Sequence, residues 1–435
     1  MSNNTPNNLL QRRHRVMGKS APLFYEKPLQ LVRGEGVWLW DNEGNRYLDV
    51  YNNVPHVGHC NPRVVEALSS QASTLNIHTR YLHNTIIEYL ERLTSTFDDG
   101  LEMAMLTCTG SEANELALRM ARHCTGGQGI IVTDFAYHGN TEAVAELGTG
   151  FMPEAQTTKR VKAFPIPDAY RGIEDVVPEN LADVYAARVQ QAIDEFEAEG
   201  IKVAGMLVCP DFANEGLLNV PDGFMEKATA LVRNAGGVLI CDEVQVGFGR
   251  SGQHMWAHQW YDLTPDIVTL GKPMGNGHPL AGVVARADMI EDFSKVAMYF
   301  NTFGGTPVSC AVGMAVLDAL EEDNLMHNAI TTGAYVTQGL RTLQDKYEMI
   351  GDVRNLGMFF AVELVKDRAS KTPASLEARQ VINLMRDKGV LISTIGVTDS
   401  ILKLRPPMPF QPEHGDILIA ALDEVMEIVT RTARL

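Results

Sequence analysis

Basic residues are the scarcer charge in this 435-residue chain: 37 Lys plus Arg face 54 Asp plus Glu, a formal charge of −17. A surface of that sign repels phosphate backbones and anionic headgroups, which argues against general nucleic-acid or membrane-surface binding. No apolar run reaches the roughly 18 residues a membrane-crossing helix needs. The opening MSNNTPNNLLQRRHRV lacks the apolar stretch of a secretory signal. Cysteine is sparse, with six residues and no CxxC pair. Cys108, Cys209 and Cys241 sit in apolar runs, where a free thiol behaves as a small hydrophobe. The expectation is a reduced, cytoplasmic protein without structural disulfides. His56 and His59 in HVGHC have no nearby His or Cys to complete a metal set, so packing or loop roles are expected and no metal. No GxxxxGK[ST] phosphate loop occurs, which sets aside a P-loop ATPase. GFGRSG at 247–252 imitates a dinucleotide fingerprint, but a poor crossover helix follows it. No strand-end acid appears about twenty residues on to bind a ribose.

What is present is an ordinary globular balance, 45% hydrophobic and 21% charged. The length, roughly three times the common domain size, argues for two or more lobes. Apolar alternation on both sides of Asp41-Asn42-Glu43-Gly44-Asn45 predicts a β-hairpin. From about residue 61, short apolar strands alternate with amphipathic helices. The strands are read at 103–108, 129–133, 203–209, 237–244, 266–271 and 280–286. Helices are read at 111–123 and 224–236, with a last one at 413–433. Strands apolar throughout imply a sheet covered on both faces, hence a mostly parallel α/β sheet. The expected division is an N-terminal segment, 1–60, joining a small α+β domain formed by 321–435, with a large domain at 61–320.

Three polar features fall at carboxyl ends of predicted parallel strands, where ligands sit in such folds. TGSE (109–112) follows a strand and opens a helix, so Gly110 and Ser111 offer backbone amides to an anion. Thr109 with Glu112 also fits a capping box, and a plain helix cap is the alternative. Asp242 ends a nearly all-apolar strand, where an unpaired charge is costly, so it needs a partner in a cleft or a structural ion pair. Lys272 lies between apolar DIVTL and a Pro/Gly-rich loop. A partly buried lysine there suits covalent chemistry with a carbonyl, and a simple ion pair is its alternative. An anion cradle, a carboxylate and an amine on one sheet edge together match pyridoxal 5′-phosphate. Tyr137 and His138, after the 129–133 strand, add a ring to stack on such a cofactor.

GSEANELALRMAR, YHG, CDEVQVGFGR, PDIVTLGKPMGNGHPLAGV and NTFGGTPVSCAVG together resemble the class III, fold-type I pyridoxal-phosphate aminotransferases over nearly the whole chain. By that likeness Gly110 and Ser111 would bind the cofactor phosphate, Tyr137 would stack on the ring, and Asp242 would pair with the pyridinium. Val244 would pack on the opposite face, Gln245 would reach the phenolic oxygen, and Lys272 would hold the cofactor and shuttle the proton. Thr302 would reach the phosphate in a neighbouring subunit, which implies a homodimer with shared active sites. YNNVPHVGHCNPRVVEAL and GKPMGNGHP resemble the alanine–glyoxylate-2-like branch, which mixes amine and ω-amino-acid transaminases with ethanolamine-phosphate phospho-lyases. Two departures bear on substrate. Cys209 stands where many class III members carry a glutamate, and Lys403, with Arg405 two residues on, stands where relatives hold a carboxylate with arginine. A lysine is a point charge and gives no planar two-point grip.

The leading expectation is an ω-type aminotransferase passing nitrogen from a primary amine or ω-amino acid to a keto acid such as pyruvate. The alternative with the same cofactor is a lyase eliminating phosphate from a phosphorylated amino alcohol, with Arg80, Lys403 and Arg405 as its basic set. A cofactor-sensing regulator is the remaining reading; the acidic charge and the lack of an appended DNA-binding region argue against it.

Overall fold

A computed structural model describes residues 6–153 and 158–433. Helix α1 (Pro6–Met17) precedes a three-stranded meander of β1 (Leu31–Glu35), β2 (Trp38–Asp41) and β3 (Arg46–Asp49). The predicted hairpin is β2–β3, and Asp41 builds its turn. Its Oδ1 accepts the amides of Glu43 and Asn45, and its Oδ2 accepts Asn45 Nδ2 and Tyr47 Oη, all at 2.9 Å.

The chain then runs through α2 (Pro62–Thr74), α3 (Asn84–Thr94), β4 (Met103–Thr107), α4 (Gly110–Thr125) and β5 (Gly129–Thr133). Next come α5 (Glu142–Ala145), β6 (Val161–Phe164), α6 (Leu181–Ala198), β7 (Val203–Val208), α7 (Phe224–Asn234) and β8 (Val238–Asp242). After β9 (Ile267–Leu270), β10 (Ala281–Ala285) and α8 (Ala287–Val296), seven strands are joined in the order β4-β10-β9-β8-β7-β5-β6. Every residue of β5, β7, β8, β9 and β10 is buried, which is why these strands read as unbroken apolar runs. The sheet is parallel from β9 through β6, while β10 runs antiparallel to both β9 and β4.

Beyond it lie α9 (Pro307–Glu322), α10 (Leu325–Lys346), β11 (Ile350–Leu356), β12 (Phe359–Leu364) and α11 (Ser375–Asp387). The chain ends in β13 (Val390–Leu391), β14 (Ser393–Ile395), β15 (Ile401–Leu404) and α12 (Pro412–Ala433). An antiparallel sheet of order β11-β12-β15-β14 forms here, and β13 instead extends the N-terminal meander, parallel to β3. No helix of the described residues is long and apolar enough to cross a membrane. GFGRSG forms turns, with Gly249 and Gly252 at positive φ against Met326 and Ile330, and no α-helix follows it.

Candidate active site

The carboxyl ends of β4, β5, β7, β8 and β9 converge on a cavity of about 340 Å³. It gathers Gly110, Ser111, Tyr137, His138, Asp242, Val244, Gln245 and Lys272 from separate stretches of sequence. Thr302 and Arg80 are exposed and do not line it; the Arg80 guanidinium lies 3.9 Å over the Phe300 ring.

One wall is the start of α4. Thr109 caps the helix, accepting the Glu112 amide at 3.2 Å, while Glu112 Oε2 accepts the Thr109 amide at 3.0 Å, as a capping box requires. The amides of Gly110 and Ser111 find no acceptor among the described residues, so two donors at a helix N-terminus stand over the cavity. A Cβ on Gly110 would lie 2.9 Å from Val244 Cγ1, so only glycine admits the backbone this close. Ser111 Oγ accepts the Asn140 amide at 3.2 Å and fixes the neighbouring loop.

Asp242 ends β8 as a buried residue, 5% exposed. Oδ2 accepts His138 Nδ1 at 2.8 Å and Asn114 Nδ2 at 2.9 Å, and Oδ1 accepts the Val244 amide at 3.0 Å. Asn114 is oriented by Thr269, whose Oγ1 donates to Asn114 Oδ1 at 2.7 Å, leaving Nδ2 for Asp242 and for the His138 carbonyl. Burial works against the Asp242 charge. The bond to His138, the fields of His138 and Lys272 and the bond to Asn114 outweigh it and hold the carboxyl below its usual range.

Lys272 opens a 3₁₀ turn one residue after β9, and its amine makes no hydrogen bond among the described residues. Burial lowers its pKa below the ordinary lysine value; Asp242 opposes the shift and Arg405 adds to it. The amine is therefore more readily neutral, as a nucleophile or proton carrier must be.

Gln245 links this wall to the C-terminal sheet. Its Oε1 accepts Lys403 Nζ at 3.2 Å and also Arg405 Nη1, while Nε2 donates to Asn214 Oδ1 at 3.0 Å. Lys403 and Arg405 are each 4% exposed, and neither forms an ion pair among the described residues. Burial first, then Arg405 and Lys272, push the Lys403 amine far below its usual value; burial also lowers Arg405.

Sequence reasoning missed Asn114 and Thr269, which read as ordinary members of a helix and a strand. Cys209 was taken as a small hydrophobe, but its Sγ donates to Asp211 Oδ1 at 3.1 Å while lining the cavity. His56 and His59 have separate partners: His56 Nε2 meets the Phe248 carbonyl at 2.7 Å, and His59 Nε2 meets Asp49 Oδ2 at 2.7 Å.

A mixed, mostly parallel sheet between helices, with this constellation at its carboxyl edge, is the architecture of the fold-type I pyridoxal-phosphate transferases. Within that class the chain belongs to the class-III aminotransferase family, whose model matches residues 24–426. It is therefore an enzyme of that class. A *Drosophila melanogaster* protein named alanine–glyoxylate aminotransferase 2-like is 39% identical over 429 residues, 97% of this chain and 87% of the relative. A *Caenorhabditis elegans* ethanolamine-phosphate phospho-lyase homolog 1 is 35% identical over 439 residues, 97% of this chain and 94% of the relative. Among solved structures, a phospholyase from *Arthrobacter* in complex with phosphoethanolamine is 46% identical, with a TM-score of 0.93 over 96% of this chain and 99% of that one. An (S)-enantioselective omega-transaminase from *Thermomicrobium roseum* is 30% identical, with a TM-score of 0.86 over 99% of this chain and 100% of that one.

Proposed function

We propose that this enzyme binds pyridoxal 5′-phosphate and eliminates phosphate from a small phosphorylated amino alcohol such as phosphoethanolamine. The observation that carries the reading is the pair Lys403 and Arg405: two buried basic groups behind the Gln245 wall of the cavity, not themselves lining it, both donate to one neutral oxygen, Gln245 Oε1, with no carboxylate partner among the described residues. Burial and cationic neighbours disfavour charge on Lys403, and a dianionic phosphate nearby offsets both Lys403 and Arg405 in their charged forms where a carboxylate offsets one. The likeness to the *Arthrobacter* phospholyase supports the same order. Transamination, which the sequence alone puts first, is the second reading; the likeness to the *Thermomicrobium roseum* transaminase favours it.

The residues fit the cofactor. The free amides of Gly110 and Ser111 suit its phosphate, the buried Asp242 carboxylate suits its ring nitrogen, and Val244 and Tyr137 line the space a ring would fill. When bound, the cofactor supplies an electron sink for the carbon bearing the amine. Asp242, held ionised by His138 and Asn114, keeps that sink's ring nitrogen protonated. Lys272 Nζ anchors the cofactor, then as a neutral amine takes the proton from the substrate carbon bearing nitrogen. Lys403 and Arg405 hold the phosphate as the bond from its bridging oxygen to the adjacent carbon breaks and the phosphate carries the electron pair away. Water converts the two-carbon remainder to an aldehyde and ammonia.

The working unit we propose is a homodimer. Thr302 is exposed beside Phe303, 69% exposed, and Met298 and Leu82 are 87% and 99% exposed, an apolar surface suited to a second copy.

The deciding experiment supplies phosphoethanolamine to the cofactor-loaded enzyme without keto acid. Multiple turnovers of phosphate and acetaldehyde are expected. A single stoichiometric change in cofactor absorbance, reversed by pyruvate and without phosphate, would establish transamination instead.

A further inference from the structure

A second cavity, about 490 Å³, shares no lining residue with the reaction cavity. It lies between the loop 217–223, the start of α7, the 3₁₀ turn at Ala257–Tyr261 and the end of β11. Its charged lining is one-sided. Asp222, Glu226 and Asp262 are exposed at its edge and form no ion pair among the described residues. Arg354, the one cationic residue of the lining among the described residues, is already matched, with Nη1 2.9 Å from Asp352 and 2.6 Å from Glu363.

The inner lining carries an independent signal. Asp211 is 4% exposed, its Oδ1 accepts Cys209 Sγ, and its Oδ2 has no hydrogen-bond partner among the described residues. A buried carboxylate oxygen left unpaired is costly and calls for a donor or a cation. Burial accordingly raises the Asp211 carboxyl to about 7, with Glu243 and Glu215 adding and the Cys209 bond and Lys403 opposing. Trp260, 46% exposed, and Tyr261 complete the wall with aromatic rings. Carboxylates with aromatic rings are the chemistry that recognises an organic ammonium ion.

We propose that this second cavity binds a small organic ammonium ion between Asp211 and Trp260. The site is separated from the reaction cavity by the Cys209–Asp211 contact, whose cysteine lines one cavity and whose aspartate lines the other.

Tetramethylammonium is the probe, because it has no N–H with which to enter cofactor chemistry. It is titrated into the full chain loaded with pyridoxal phosphate, at ionic strength fixed with sodium chloride, and followed by tryptophan fluorescence and calorimetry. One saturable site per chain is expected, weakened at least about tenfold by Trp260→Ala and by Asp211→Asn and unchanged by Lys272→Ala. The double variant Asp262→Asn/Glu226→Gln, at exposed positions, keeps the test open should Asp211→Asn fail to fold, and it also weakens binding. Absence of saturation, an equal response to sodium, or loss of binding in Lys272→Ala would each overturn the assignment.

Discussion

Asp242 Oδ2 lies 2.8 Å from His138 Nδ1, with both side chains buried, so the carboxylate at the tip of β8 is held in one orientation by an imidazole from the loop after β5. Asp242→Asn keeps the shape and removes the charge. Turnover is expected to fall about 10²–10³-fold, the scale of losing one preorganised electrostatic partner. The acid limb of stability should change as well. A carboxyl depressed in the folded state contributes stability fully present above its unfolded value, 3.8, and lost as pH falls through the lower folded value. The stability gap between wild type and Asp242→Asn should therefore close below about pH 4. Denaturant unfolding from pH 3 to 6 measures it, and a gap that does not vary with pH would contradict the assignment.

Lys272→Ala removes the amine whose pKa burial lowers and that no described residue hydrogen-bonds. Loss of proton transfer alone predicts a fall of about 10²–10⁴-fold in turnover. Cofactor is still retained without covalent attachment, because Gly110, Ser111 and Asp242 are untouched. Borohydride treatment followed by mass measurement should fix cofactor to the wild type and not to the variant. Full activity in the variant would refute the role.

Much of this was legible in the sequence because burial on both faces leaves a simple signature. The predicted strand at 129–133 is β5 at the same bounds, and Thr109 and Glu112 announce α4 by chemistry local to four residues. Direction was not legible: nothing in LAGVVAR distinguishes the antiparallel β10 from its parallel neighbours, since an apolar run buries equally well either way. Strand β6 escaped notice because only Phe164 of its four residues is buried. Asn114 and Thr269 could not be singled out either. Their roles depend on a contact across 155 positions, and each fits its own helix or strand without it. Asp211 was hidden for the same reason: PDFANEG reads as a loop, and only the fold shows that this acid is buried.

Lys403→Met tests whether the two cations serve substrate or fold. Lys403 Nζ shares Gln245 Oε1 with Arg405, and burial and Arg405 both work against its charge. Replacing a strained buried cation by an apolar side chain of similar length is commonly neutral or stabilising. The melting temperature should hold or rise. A charged hydrogen bond to substrate is worth about 1.5–3 kcal/mol, so kcat/KM for phosphoethanolamine should fall roughly 10–150-fold. Unchanged kcat/KM would remove Lys403 from the substrate's phosphate site.

Gly139 separates backbone strain from damage to the anion cradle. Its φ is +140°, and a Cβ there would lie 2.5 Å from Ser111 Oγ and 2.9 Å from Ser111 Cα, inside the first turn of α4. Gly139→Ala must therefore move the amides proposed to hold the cofactor phosphate. Gly172 provides the comparison, with a φ of +64° and nothing among the described residues within 4 Å of its would-be Cβ. Gly172→Ala should cost only the left-handed penalty, about 1–2 kcal/mol, and leave cofactor affinity as it was. Gly139→Ala should lose comparable or greater stability and also bind pyridoxal phosphate at least about tenfold more weakly by equilibrium dialysis, about 1.4 kcal/mol. Equal affinities in the two variants would show that the helix start tolerates the shift, and the assignment of Gly110 and Ser111 to the cofactor phosphate would fall with it.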